Sequence, residues 1–220
     1  MDMFRHIDTP AIGELKQINS PQGRRYETPD GKLYPSVTTV LGRLSAQAIQ
    51  EWRNRVGEEK ANAISTKAAR RGTRVHQMCE DYLNNNNHLS RAMPIDVETF
   101  NTIKPILHNI DNISCQEKRL YSHHLGLAGT VDCIAEYNGK RSVIDFKTSL
   151  KPKKHEWVTN YFMQESAYAI MWEELTGQPI TQLVTIIAVD DNEPQVFIEH
   201  RDTWVKPLRD AITDYMDSNT

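Results

Sequence analysis

Apolar positions along this chain keep two rhythms. Up to about residue 111 they recur mostly at three- and four-residue spacing, as in helices with one buried face. Beyond that point they alternate or run together in short blocks, as strands do. The first rhythm predicts a helix opened by Pro35-Ser36 and running through Val40 and Leu41, then a helix over residues 46–56. A longer helical region covers 58–83, with a break expected near Gly72, and another helix covers 94–110, kinked or broken at Pro105. Ahead of them, residues 25–28 and 32–34 flank Pro29-Asp30-Gly31 and form a small hairpin.

The second rhythm predicts strands at 113–121, 128–137 and 141–147, then a helix over 156–175 closed by Gly177 and Pro179. Strands at 183–189 and 195–199 and a terminal helix at 203–216 complete the chain. The order makes one mixed α/β domain. It divides into an arm (1–22), a hairpin and mainly helical part (23–111), an α/β core (112–200) and a C-terminal helix (201–220).

Composition adds few constraints. Of 220 residues, 39% are hydrophobic and 25% charged, the balance of a soluble globular protein, and the length suits one domain. No apolar run is long enough to span a membrane, and Met1-Asp2-Met3-Phe4-Arg5-His6 lacks the apolar core of a secretion signal. A cytoplasmic location without membrane association is expected. Cys79, Cys115 and Cys133 supply neither a CxxC pair nor a set of four for zinc or iron–sulfur, and are read as packed free thiols. The formal net charge of −3 argues mildly against phosphate-backbone binding, but local charge and bound metal can override it.

The chemistry starts at Asn138-Gly139, a strong signal for a two-residue hairpin turn. If Tyr137 faces Lys140, every outward step keeps the sum of the paired numbers at 277, and Asp132 plus Asp145 gives the same sum. The two aspartates are then expected directly opposite one another, with Cβ atoms about 4.5–5.5 Å apart. Lys147, two residues beyond Asp145, shares its face, while Val131, Cys133, Ala135, Ile144 and Phe146 point the other way. Opposed like charges are destabilising unless a cation or a shared proton compensates them. An oxygen-rich site of this kind suits Mg²⁺ or Mn²⁺. A lone D-x-K is ordinarily an exposed pair on a solvated strand; the register with Asp132 sets this one apart.

Asp132 followed by Asp145-Phe146-Lys147-Thr148-Ser149 resembles the PD-(D/E)xK nuclease pattern, most closely its RecB-like branch. Gly72-Thr73-Arg74-Val75-His76 resembles the upstream GTxxH element of that branch, and Gln164-Glu165-Ser166-Ala167-Tyr168 its QxxxY element, in the same order. Residues 34–41, YPSVTTVL, resemble a segment of phage exonucleases and of the mitochondrial genome maintenance exonuclease. The resemblance implies a restriction-endonuclease-like core, with a central mixed sheet flanked by helices. It implies Asp132 and Asp145 as metal ligands, Lys147 as catalytic lysine, His76 as a further ligand and the Phe146 carbonyl facing the metal. Gln164, Tyr168 and Thr148 would support the site or the DNA strand. The iron–sulfur cluster of some members is not carried over, because the cysteines are missing.

Other residues carry two readings. Thr73, His76 and Glu80 share a helix face, which would set Glu80 behind His76 as an acceptor. Lys67, Arg70, Arg71 and Arg74 form a basic stripe nearly opposite His76, either a solvated face or a phosphate contact; Arg71 is the best DNA candidate if the helix restarts at Gly72. Trp157 and Tyr161 could stack on bases or pack at the rim. Glu117 could approach the metal from the preceding strand. Ser36, with Thr38 and Thr39, could meet phosphate at a helix start, though capping is the simpler account of Ser36.

The expected function is a Mg²⁺- or Mn²⁺-dependent DNA exonuclease acting on a single-stranded or free end. An endonuclease on branched or specific DNA and a non-cutting nucleic-acid-binding module are the alternatives. A recombination or replication protein could be a partner. A phage-encoded origin, hence host cytoplasm, would suit the short single-domain build.

Overall fold

A computed structural model describes residues 3–90 and 92–218. Its N-terminal part is a small antiparallel sheet of β1 (Lys16–Ser20), β2 (Gly23–Glu27) and β3 (Leu33–Pro35). The expected hairpin is β2–β3, turning at Gly31, whose φ of +80° suits glycine. The segment expected as an arm is more than that. It contributes β1, buries Phe4 and bridges His6 to Ile113. β1 hid from sequence because it is an edge strand of five residues, all exposed or half-buried, without apolar alternation.

Four helices follow: α1 (Val37–Gly42), α2 (Ala46–Val56), α3 (Glu58–Leu83) and α4 (Pro94–Leu107). α3 runs unbroken through Gly72, so the expected break does not occur; glycine weakens a helix without ending it. α4 likewise contains Pro105 and stops at Leu107, because Ile110 already belongs to a strand. α2 buries no residue, and Leu44, Ile49 and Ile64 stay exposed, so α2 and the start of α3 project from the body.

The main sheet has the order β4 (Ile110–Ser122), β5 (Leu127–Tyr137), β6 (Lys140–Ser149), β7 (Gln182–Val189), β8 (Gln195–His200). All neighbours are antiparallel except β6 and β7. A parallel pair needs a crossover, supplied by α5 (Thr159–Thr176). A 3₁₀ turn, His155–Trp157, occupies the place where the helix was expected to begin, and Gly177 ends α5 in a left-handed cap. α6 (Arg201–Asp217) closes the chain.

Alternation puts Val143 and Leu183 on one face with Leu120, Tyr168, Trp172 and Leu208, under α1, α5 and α6. Ile144 and Val184 face the other way, onto Val75, Phe100 and Ile103 of α3 and α4. The central strands are therefore buried on both sides, in a five-stranded mixed sheet flanked by helices.

Candidate active site

Asn138 and Gly139 both take positive φ, 52° and 74°, the turn that matches strand twist. The pairing runs as expected from Tyr137↔Lys140 to Cys133↔Ile144. One step later the ladder opens. Asp132 and Asp145 do not pair; the Phe146 N–H donates to Asp132 Oδ2 at 3.0 Å. On the other side of Asp132, Gln116↔Cys133 and Lys118↔Val131 pair while Glu117 between them takes φ +49°. Glu117, Asp132 and Asp145 thus occupy one row across β4, β5 and β6, at a break in both ladders. The break also overturns one facing: Val131 packs with Ile134 and Val143, whereas Cys133, Ala135, Ile144 and Phe146 share the opposite face as expected.

α3 brings His76 to this row. Its Nε2 lies 2.8 Å from Asp132 Oδ2 and its Nδ1 3.3 Å from Glu117 Oε1. The carboxylate behind His76 is therefore Glu117 rather than Glu80, which takes a hydrogen bond from Gln77. α5 supplies the other wall. Gln164 Nε2 donates to Asp145 Oδ1 at 3.1 Å, and the Tyr161 ring lies 5.1 Å from Lys147 Nζ. Lys147 is ion-paired with Asp145. Tyr168 is buried against Gly129, where an added Cβ would fall 2.8 Å from its ring. Gly72 brings α3 close to Thr148 of β6. Thr73 sits at the exposed rim with its hydroxyl donating to the Ala69 carbonyl.

Two clefts meet at the row. One, about 370 Å³, is lined by Arg24, Ser36, Thr130, Asp132, Gln164 and Tyr168. The other, about 450 Å³, is lined by Gly72, Thr73, Glu80, Phe146 and Thr148. His76, Glu117 and Lys147 belong to both.

Burial opposes charge throughout the site, and the neighbours decide each outcome. Burial alone would lower His76, but Asp132 and Glu117 raise it to about 9. Burial pushes Asp145 up to about 7, with Asp132 adding to the rise against the pull of Lys147. Asp132 stays low despite burial, held by His76, Lys147 and the Phe146 N–H. Glu117 rises to about 7, chiefly through burial. Lys147 stays charged: burial would lower it, and Asp145 and Asp132 raise it further.

Some expectations change. Arg71 is not a free phosphate contact: it is buried, ion-paired with Asp190 and within 3.4 Å of Thr99 Oγ1, because the unbroken helix turns it inward. Arg74 is paired with the buried Asp96. Ser36 caps α1, accepting from the Thr39 N–H at 3.0 Å, and also lines the first cleft. Sequence reasoning missed Arg24, Gly129 and Glu165. Arg24 arrives from the other sheet, and a glycine that admits a ring has no local signature. Glu165 is wholly buried beside Thr185, although it sits within a segment already singled out.

The donor set fits a divalent cation. His76, Glu117 and Asp132 offer ligand atoms within 4.8 Å of one another. Among the described residues, the buried Asp145 Oδ2 is met by the Lys147 ammonium alone. Among families, the PD-(D/E)XK nuclease superfamily matches residues 35–214. The chain belongs to that superfamily. Its α/β sandwich is a PD-(D/E)XK nuclease-like fold, and Asp145-Phe146-Lys147, inside the matched residues, has the form D-x-K.

Among curated relatives, the mitochondrial genome maintenance exonuclease 1 of Homo sapiens is 29% identical over 129 residues, 54% of this chain and 38% of that protein. Its Xenopus tropicalis counterpart is 29% identical over 130 residues, 55% and 38%. The match therefore spans less than half of either relative. A solved structure of a candidate exonuclease from Eubacterium rectale superposes with a TM-score of 0.46 at 13% identity, over 69% of this chain and 65% of that one.

Proposed function

We propose that this protein hydrolyses phosphodiester bonds in DNA from a free, single-stranded end, using Mg²⁺ or Mn²⁺. The observation that carries the reading is the row Glu117–Asp132–Asp145, met by His76 and Lys147 where two clefts join. Membership of a nuclease superfamily supports it, and the naming of the curated relatives as exonucleases favours action at ends. Glu117 lines both clefts and Asp132 one of them, so a strand lying in either passes the carboxylate row.

Asp132, Asp145, His76 and Glu117 would hold the cation. The Phe146 carbonyl would join them, since a strand turns the N–H and C=O of one residue to the same side, here the opened side facing Asp132. The bound ion would supply Lewis-acid activation of water and charge neutralisation at the phosphate. Lys147, ion-paired with Asp145 beside the row, would stabilise negative charge on the phosphate oxygens. Gln164 fixes the orientation of Asp145, and Glu117 fixes the His76 ring. Tyr168 and Ser36 form the walls of the strand path.

The test is digestion of end-labelled linear and circular single-stranded DNA with Mg²⁺, Mn²⁺ or EDTA, beside Asp145→Ala. Metal-dependent loss of the linear strand alone, absent from the variant, is the expected result. Cutting of the circle would replace the exonuclease by an endonuclease. Tight binding without cleavage of linear single- or double-stranded DNA would leave only a binding module.

A further inference from the structure

The segment from Leu150 to Trp157 takes no part in the site described above, yet both its ends are rooted there. It leaves β6 three residues after Lys147, and it enters α5 just before Tyr161 and Gln164. Its backbone is pinned. Ser149 Oγ donates to the Lys151 carbonyl at 2.7 Å. The Lys153 N–H donates to Gln195 Oε1 at 2.7 Å, and Gln195 Nε2 returns a bond to the Lys153 carbonyl at 2.9 Å. His155 is held by Glu199 at 2.6 Å.

The side chains between these anchors face outward. Trp157 is 60% exposed and Leu150 61% exposed. Among the described residues, Lys151, Lys153 and Lys154 have no carboxylate partner; Lys154 lies over the Trp157 ring, 5.2 Å from its centroid. One step inward the same pairing recurs, with Lys147 over Tyr161. Exposing a large indole on a fixed backbone has no packing benefit. Two rings each paired with an ammonium group, and three lysines against a single carboxylate (Glu156) in the segment, suit a strand of stacked bases joined by phosphates.

We infer that Lys151, Lys153, Lys154 and Trp157 form a binding ridge for single-stranded nucleic acid, where a base stacks on Trp157 as the strand passes to or from the cleft. The ridge rests on the proposed nuclease reading for its direction but not for its chemistry. It also gives an acidic protein a local basic contact beside its site.

The test measures affinity of the full chain, in EDTA, for fluorescein-labelled oligothymidylate, with folding checked by thermal melting. Trp157→Ala should weaken binding roughly tenfold, and Trp157→Phe should recover most of the loss, since stacking survives in phenylalanine. The triple change Lys151→Gln, Lys153→Gln, Lys154→Gln should lower the slope of log affinity against log salt by about 2. If Trp157→Ala binds within about twofold of the parent, or Trp157→Phe is no better than Trp157→Ala, the ridge is overturned. The two readings fail separately. Metal-dependent cleavage with binding indifferent to Trp157 removes the ridge alone; Trp157-dependent binding without cleavage removes the nuclease alone.

Discussion

Glu117 is held in a left-handed backbone conformation, with its carboxylate against the ring of His76. A non-glycine residue there is strained, and such strain persists where the surroundings enforce it. Glu117→Gln keeps the shape but removes one carboxylate of the proposed metal site, the one beside His76. It should weaken Mn²⁺ binding about 10- to 100-fold by calorimetric titration; an unchanged affinity would take Glu117 out of the metal site. Glu165 makes the opposite case. It is wholly buried, accepts a hydrogen bond from Thr185 and, among the described residues, leaves Oε2 without a partner. Burial and nearby Asp145 raise its carboxyl well above the usual 4.5. A raised carboxyl binds its proton more tightly in the folded state, so its contribution is complete below 4.5 and is lost as pH rises from there toward the folded value. Glu165→Gln, measured without metal, should therefore gain stability relative to the parent as pH increases, by about 1 kcal/mol or more at pH 8. A pH-independent difference between the two melting curves would contradict this.

At the scale of elements, two glycines look alike in sequence and differ in the fold. Gly72 lies in α3, where an added Cβ would meet only Thr148 Oγ1 at 3.6 Å, an ordinary contact. Gly72→Ala should raise stability by about 0.5–1 kcal/mol, the usual gain of alanine over glycine within a helix. Gly129 lies in β5, where a Cβ would fall 2.8 Å from the Tyr168 ring and 2.9 Å from its hydroxyl. Tyr168 is 2% exposed and has nowhere to retreat, so Gly129→Ala should cost about 1–3 kcal/mol. Thermal melting of the pair checks both signs at once. The elements themselves were largely legible: α2 has the expected bounds, and β5 through β8 lie within two residues of theirs. β1 was not, because an edge strand without apolar alternation carries no period to detect.

Across the molecule, α3 must be locked to the sheet for His76 to meet Asp132. Arg71 does part of this, joining α3 to Asp190 at the end of β7 and approaching Thr99 of α4. Arg71→Ala leaves Asp190 without its partner and should cost about 3 kcal/mol in urea unfolding. Single-stranded DNA affinity in EDTA should stay within about twofold of the parent. A large loss of affinity with stability intact would restore Arg71 as a phosphate contact.

The sequence alone determined what depends on local periodicity and on short-range register. The Asn138-Gly139 turn counted the pairing of β5 with β6 up to Cys133↔Ile144 and so brought Asp132 and Asp145 to the same level of the sheet. The spacing of Gln164 and Tyr168 put both on one face of α5. Only the tertiary structure decided that the ladder opens at the next step, that Glu117 rather than Glu80 backs His76, and that Arg71 turns inward. Each of these joins segments far apart in the chain. Their outcome follows from how charges and helices are packed together, which no local pattern encodes.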